Sequence, residues 1–136
     1  FEPLFFEQGL TLISQVDEGI TVSGDEESLR RVLEILLDNA QKYSSPGGET
    51  QVTLHRRGRN HCALTVANQG EPIPPEARRQ IFQRFYRADP ARSRNGSFGL
   101  GLSIAEGIVA QHHGTIDVTC AGGFNRFRVE LPCRQE

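Results

Sequence analysis

One run constrains this chain more than any other. Across residues 29–44, Leu29, Val32, Leu33, Leu36, Leu37 and Ala40 recur every three or four positions. That spacing gathers all six on one face of an α-helix and demands a core for the face to cover. Asp25 is placed to cap the helix start, with Glu26 and Glu27 suited to its positive end. Ser44, Ser45, Pro46, Gly47 and Gly48 stop it. Asn39 sits at the edge of the apolar stripe, and Lys42 and Tyr43 follow it by three and four residues, so the three share a flank. A neutral oxygen ligand, an ammonium and an aromatic ring on one flank suit a metal, a phosphate and a purine. Taken singly, each also has a plainer role: an amide bonded to backbone, a solvated lysine, a tyrosine at the core edge.

A helix with such a face needs a partner layer, and the rest of the chain reads largely as strands. Residues 10–16 and 20–22 read as two short strands joined by a hairpin-like turn at 17–19, after an apolar lead-in at 1–6. Residues 50–54 and 62–67 alternate in character around a polar turn at 56–60. Residues 68–75 form a loop whose prolines suit the first turn of a short helix running to about Arg84. The segment 84–98 lacks apolar periodicity and carries Arg84, Arg87, Arg92 and Arg94; a loop of that length in a compact domain is functional or disordered. A further helix carries Ile104, Ala105, Ile108 and Val109 and ends near His113 and Gly114. His112 and His113 suit capping and packing there. Strands at 115–119 and 124–131 close the chain around a Gly-Gly turn. About three helices against some six strands, mixed in order, imply an α/β (α+β) two-layer sandwich of helices packed on a mixed sheet.

Composition narrows the function. With 136 residues the chain is a single domain over 1–136, able to bury a core unaided. A net charge of −2 leaves no global footprint for nucleic acid or an anionic membrane. The three cysteines, Cys62, Cys120 and Cys133, have neither disulfide-scaffold nor zinc spacing, which suits a reducing cytosolic setting. No apolar run approaches membrane-spanning length. The start at Phe1 reads as a piece of a longer protein.

Four separated stretches carry the chemistry: the Asn39 helix; Asn68-x-Gly70-x-Pro72-Ile73; Ile81-Phe82-x-x-Phe85-Tyr86-Arg87; and Gly96-x-x-Gly99-x-Gly101-Leu102. The last offers bare backbone N–H groups at a helix start, suited to phosphate. It is neither a Walker loop, lacking Gly-Lys-Ser/Thr, nor a Rossmann fingerprint. In this order and spacing the four resemble the N, G1, F and G2 boxes of the ATP-binding catalytic domain of sensor histidine kinases. That family sits within the ATPases that include gyrase, Hsp90 and MutL. The resemblance runs from about Ile20 to Leu131.

The resemblance implies a Bergerat ATP-binding fold that binds Mg²⁺-ATP and supplies its γ-phosphate to a histidine on a separate dimerisation domain. Asn39 would hold Mg²⁺ and Lys42 the phosphates, these two being the catalytic pair. Tyr43, Asn68 and Ile73 would meet the base end, with Gly70 also among the ATP-binding residues. Gly99 and Gly101 would cradle phosphate, with Leu100 and Leu102 beside them among the ATP-binding residues and residues 84–98 as a lid bearing Arg84 and Arg87. Implied partners are the phosphoacceptor domain of the same protein and a downstream response regulator, with the isolated domain monomeric. The implied location is the cytosolic side of a membrane-bound bacterial sensor kinase.

Three positions depart from the family pattern. Asn68 stands where an aspartate accepts from the adenine amino group, so a neutral oxygen replaces a charged acceptor; on this reading Asn68→Asp should tighten adenine-nucleotide binding. Pro72 replaces the second glycine of its box. Ile35, one turn before Asn39, replaces a second asparagine, or the glutamate that activates water in hydrolytic relatives, so rapid ATP hydrolysis is not expected. Transfer to a histidine needs no such base, because the acceptor is itself the nucleophile. Two alternatives stay open: a degenerate module of the same fold acting by protein contacts, and a relative that phosphorylates a serine on a protein antagonist.

Overall fold

The computed structural model describes residues 11–16, 20–21, 24–83 and 101–135. The 18-residue helix is α1, Glu26–Tyr43. A second helix, α2, spans Gly101–Gln111. Seven strands accompany them: β1 Thr11–Val16, β2 Ile20–Thr21, β3 Glu49–Arg57, β4 His61–Gln69, β5 Thr115–Ala121, β6 Phe124–Pro132 and β7 Arg134–Gln135. Five of them form one sheet in the order β1-β3-β4-β6-β5. β1 runs parallel to β3, whereas the other pairs are antiparallel. The result is the two-layer sandwich on a mixed sheet that the order of elements implied.

The expected hairpin over residues 10–22 does not form. β1 pairs with β3, Thr11 facing Glu49 and Val16 facing Leu54. β2 pairs instead with β7, Ile20 facing Gln135. A parallel pair needs a long crossover, and α1 lies between β1 and β3 to provide one; the expected turn at 17–19 lies outside the described residues. The short helix expected after residue 75 is also corrected. It is two 3₁₀ turns, Pro75–Ala77 and Gln80–Phe82, with Gln83 extended (φ −78, ψ 146). So short a segment gains too few bonds to repay α-helix nucleation, while one turn at a time still buries Ala77, Ile81 and Phe82.

The core lies between the helices and one face of the sheet. Register sets its rows: Val52, Val66, Phe127 and Val118 face one another across four strands, and Leu54, Leu64, Val129 and Ile116 form the next row. Leu36 from α1 and Ala105 and Val109 from α2 close over them, each at most 1 % exposed. Phe82 meets Phe127 edge to face with centroids 6.2 Å apart; each such buried ring or branched chain contributes roughly 1.5–3 kcal/mol. The other face of the sheet carries Thr53, Thr65, Arg128 and Asp117 in register, a polar face for solvent.

His112 ties the two helices together. Its Nδ1–H donates to the Ile108 carbonyl at 2.8 Å, and its Nε2 accepts the Asp25 N–H at 3.2 Å. One ring thus serves the last turn of α2 and the first residue before α1. Asp25 itself makes no side-chain cap bond; its carboxylate takes the Ser28 hydroxyl. His113, at φ 62, takes the left-handed conformation that ends α2.

Candidate functional site

Ile35, Asn39 and Tyr43 follow one another at four-residue steps along α1, about 6 Å apart along the axis. Each is half-buried. At the near end, Ile35 Cγ2 lies 3.4 Å from where a Cβ on Gly101 would stand, so the first residue of α2 rests against α1 with no side chain between. At the far end, the Tyr43 carbonyl accepts a hydrogen bond from Asn68 Nδ2 at 3.4 Å. A Cβ on Gly70 would stand 2.7 Å from that same carbonyl, so only glycine lets the loop after β4 come this close. The flank of α1, the loop after β4 and the first residue of α2, apart in sequence, therefore meet on one helix.

Asn39 lies midway between those two contacts, and no other described residue hydrogen-bonds its amide. Lys42 is engaged: its Nζ pairs with Asp38 one turn earlier at 3.1 Å. Leu102, behind Gly101 at the start of α2, packs against the core. Arg84, Arg87, Gly99 and Leu100 lie outside the described residues, as do Phe85 and the expected lid.

Asn68 is 2 % exposed and belongs to β4, not to the loop. β4 runs on to Gln69 because both neighbours still pair with it there, Thr50 facing Asn68 on one side and Asn125 on the other. Cys120 faces Asn125 in turn. A polar row, Thr50-Asn68-Asn125-Cys120, thus crosses one end of the core face of the sheet. Thr50 is fully buried, and its Oγ1 is the one buried side-chain N or O atom among the described residues without a hydrogen-bond partner. A buried hydroxyl left unpaired costs about 1–3 kcal/mol, which a ligand group or a water at this end would relieve.

Ile73 is half-buried against the core, its N–H bonded to Asn125 Oδ1 at 3.2 Å and its carbonyl to Arg78 Nε at 3.2 Å. Thr50, Arg78, Cys120 and Asn125 escaped the sequence reading. Part of the signal was present: Thr50 falls in phase with Val52 and Leu54, and Asn125 with Phe127, Val129 and Leu131. A polar residue at an inward position of an alternating strand marks a place where burial serves something other than packing.

Among the described residues no helix is long and apolar enough to cross a membrane, and no three His, Cys, Asp or Glu side chains are grouped to hold a metal. The family model described as histidine kinase-, DNA gyrase B- and HSP90-like ATPase matches residues 24–135. The signal transduction histidine-protein kinase/phosphatase MprB of Mycolicibacterium smegmatis is 49 % identical over 107 residues, covering 77 % of this chain and 22 % of MprB. The sensor histidine kinase CusS of Escherichia coli is 41 % identical over 133 residues, covering 97 % of this chain and 27 % of CusS. The chain therefore spans about a quarter of these relatives. Among solved structures, full-length ShkA in complex with AMPPNP superposes with a TM-score of 0.85 at 27 % identity, covering 99 % of this chain and 28 % of ShkA.

Proposed function

The chain belongs to the histidine kinase-, DNA gyrase B- and HSP90-like ATPase family, and from that premise we propose that it is the ATP-binding catalytic domain of a sensor histidine kinase. It would bind Mg²⁺-ATP and present the γ-phosphate to a histidine on a dimerisation domain of the same protein, on the cytosolic side of the membrane, with a response regulator as the next acceptor. The single observation that supports this most is the convergence on α1: Gly101 against Ile35, and Asn68 and Gly70 against the Tyr43 carbonyl, with Asn39 between them.

The donor set fits the ligand. Asn39 offers one amide oxygen on the flank, enough for an ion that keeps most of its waters and phosphate ligands. Mg²⁺ held there would neutralise charge on the β- and γ-phosphates. Lys42 would exchange Asp38 for phosphate, a small cost because an exposed i,i+4 pair is worth about 0.3–0.5 kcal/mol. The Asn68 amide spends its NH₂ on Tyr43 and so turns its oxygen toward whatever hydrogen-bond donor the base presents. Gly99 and Gly101 would cradle phosphate, and Arg84 and Arg87 would approach it from the lid. Ile35 cannot take a proton from water, so the domain holds ATP without hydrolysing it quickly. The transferred group waits for an acceptor histidine that is its own nucleophile.

Two measurements test the reading. Calorimetry should give Mg²⁺-dependent ATP binding, and Asn39→Ala should abolish the Mg²⁺ dependence while leaving the fold intact; a surviving dependence removes the metal assignment. Mixing the domain with its acceptor domain and labelled ATP should label a histidine, and no transfer despite binding would defeat the kinase reading. The departures at Asn68, Pro72 and Ile35 favour one alternative, a degenerate module acting by protein contacts. Binding that is millimolar or absent would select it.

A further inference from the structure

The loop that would meet the base is short of backbone donors at its proline-rich end. Residues 72–75 read Pro-Ile-Pro-Pro, so Ile73 carries the only N–H among the four. Asn125, on β6 and some fifty residues later, takes that N–H on its Oδ1 at 3.2 Å. Its Nδ2 donates to the Glu71 carbonyl at 2.8 Å. The Cys120 thiol donates to the same Oδ1 at 2.9 Å and lies 3.7 Å from the Ile73 carbonyl. The Gly70 N–H reaches the Gly123 carbonyl in the adjoining β5–β6 turn at 3.2 Å.

Asn125 is 4 % exposed and in phase with Phe127, Val129 and Leu131. A valine there would pack against the same row at no polar cost, whereas an amide so deep must be bonded to be tolerated. Both ends of this amide are spent on one loop. Its oxygen is shared by Ile73 and Cys120, and its NH₂ reaches past Ile73 to Glu71.

We propose that Asn125, oriented by the Cys120 thiol, is a positioning residue that holds the 70–73 loop in the shape that admits the base, and so sets nucleotide affinity and base preference. The proposal rests on the ATP-binding reading above and deepens it. Asn125 acts through the loop, with no contact to the nucleotide required. Pro72 and Asn125 belong together in this account. Proline stiffens the loop and removes the N–H at position 72, and the buried amide ties down the Glu71 carbonyl and the Ile73 N–H on either side of it, so the base end is pre-shaped before ligand arrives.

The test uses the whole chain, with ATP and GTP as probes and amide exchange followed residue by residue. In the wild type the Ile73 amide should exchange far more slowly than an unstructured amide, with no ligand present. In Asn125→Ala that amide should exchange at least about tenfold faster while the Val66 and Val129 amides stay protected. Affinity for ATP should fall about tenfold and the preference for ATP over GTP should narrow. Cys120→Ala should shift both readings the same way by a smaller factor, and Cys120→Ser, which keeps a donor, should restore them. An unprotected Ile73 amide in the wild type overturns the proposal. So does an Asn125→Ala variant that folds and keeps the same affinity and preference. If Asn125→Ala fails to fold, the wild-type exchange and the Cys120 pair decide. A wild type that binds no ATP defeats the function reading instead, since the exchange measurement reads the clamp without ligand.

Discussion

At the C-terminal end of α1 the Tyr43 carbonyl serves two neighbours at once, the Asn68 amide and the bare Cα of Gly70. That double use changes what a mutation at position 68 should do. Read from chemistry alone, an ionised acceptor binds an amino group more strongly than an amide does. In place, an aspartate at this position would lose the bond to Tyr43 and set a carboxylate oxygen against the carbonyl oxygen. Asn68→Asp is therefore expected to bind ATP no more tightly than the wild type and to be about 1 kcal/mol less stable. Calorimetry and urea unfolding check the two halves separately, and a clear gain in affinity would show that the Tyr43 contact does not decide the sign. The residue types at Asn39, Lys42, Tyr43 and Asn68 were legible from sequence, because each is chemically able on its own. Their engagements were not. Helix spacing permits the Lys42–Asp38 pair without choosing it, and nothing local says that Asn68 bonds Tyr43, since that contact spans 25 residues.

Elements show a sharper division. α1 was plain from its periodicity, and Gly122 and Gly123, at φ 60 and 81, make the tight β5–β6 turn that the Gly-Gly pair implied. The pairing of β1 and β2 was misread, because strand propensity says that a segment is extended but not which edge it joins. How α1 and α2 are joined at their ends also needed coordinates. His112 alone bonds both the Ile108 carbonyl and the Asp25 N–H, and a Cβ on Gly24 would overlap its ring. Since α2 begins at Gly101, this bond helps fix how that residue lies against Ile35. His112→Ala should cost about 1–2 kcal/mol in urea unfolding and weaken ATP binding without altering β-sheet amide protection. A loss of stability with unchanged affinity would make His112 a purely structural tie.

Across the whole molecule, the end of the core face opposite the Thr50-Asn68-Asn125-Cys120 row carries the buried thiol of Cys62. Cys62 is 2 % exposed, and burial, with the Cys133 thiol beside it, pushes it from its ordinary 9.0 up to about 12. The neutral thiol is the form the fold prefers. The stabilisation is thus fully present below pH 9, where the unfolded thiol is also neutral, and is lost as pH rises toward 12. Unfolding free energy measured across that window should fall steeply in the wild type and more gently in Cys62→Val, and equal slopes would place the alkaline weakness elsewhere. By itself the sequence determined the helix that covers the core, the alternation of the strands, the class of fold and the residue types of the four boxes. All of these follow from local periodicity and the chemistry of single side chains. Tertiary structure alone decided the strand order, the row Thr50-Asn68-Asn125-Cys120, and the bonds that hold the 70–73 loop. Those depend on register between strands far apart in the chain, and register is a property of pairs that no single segment carries.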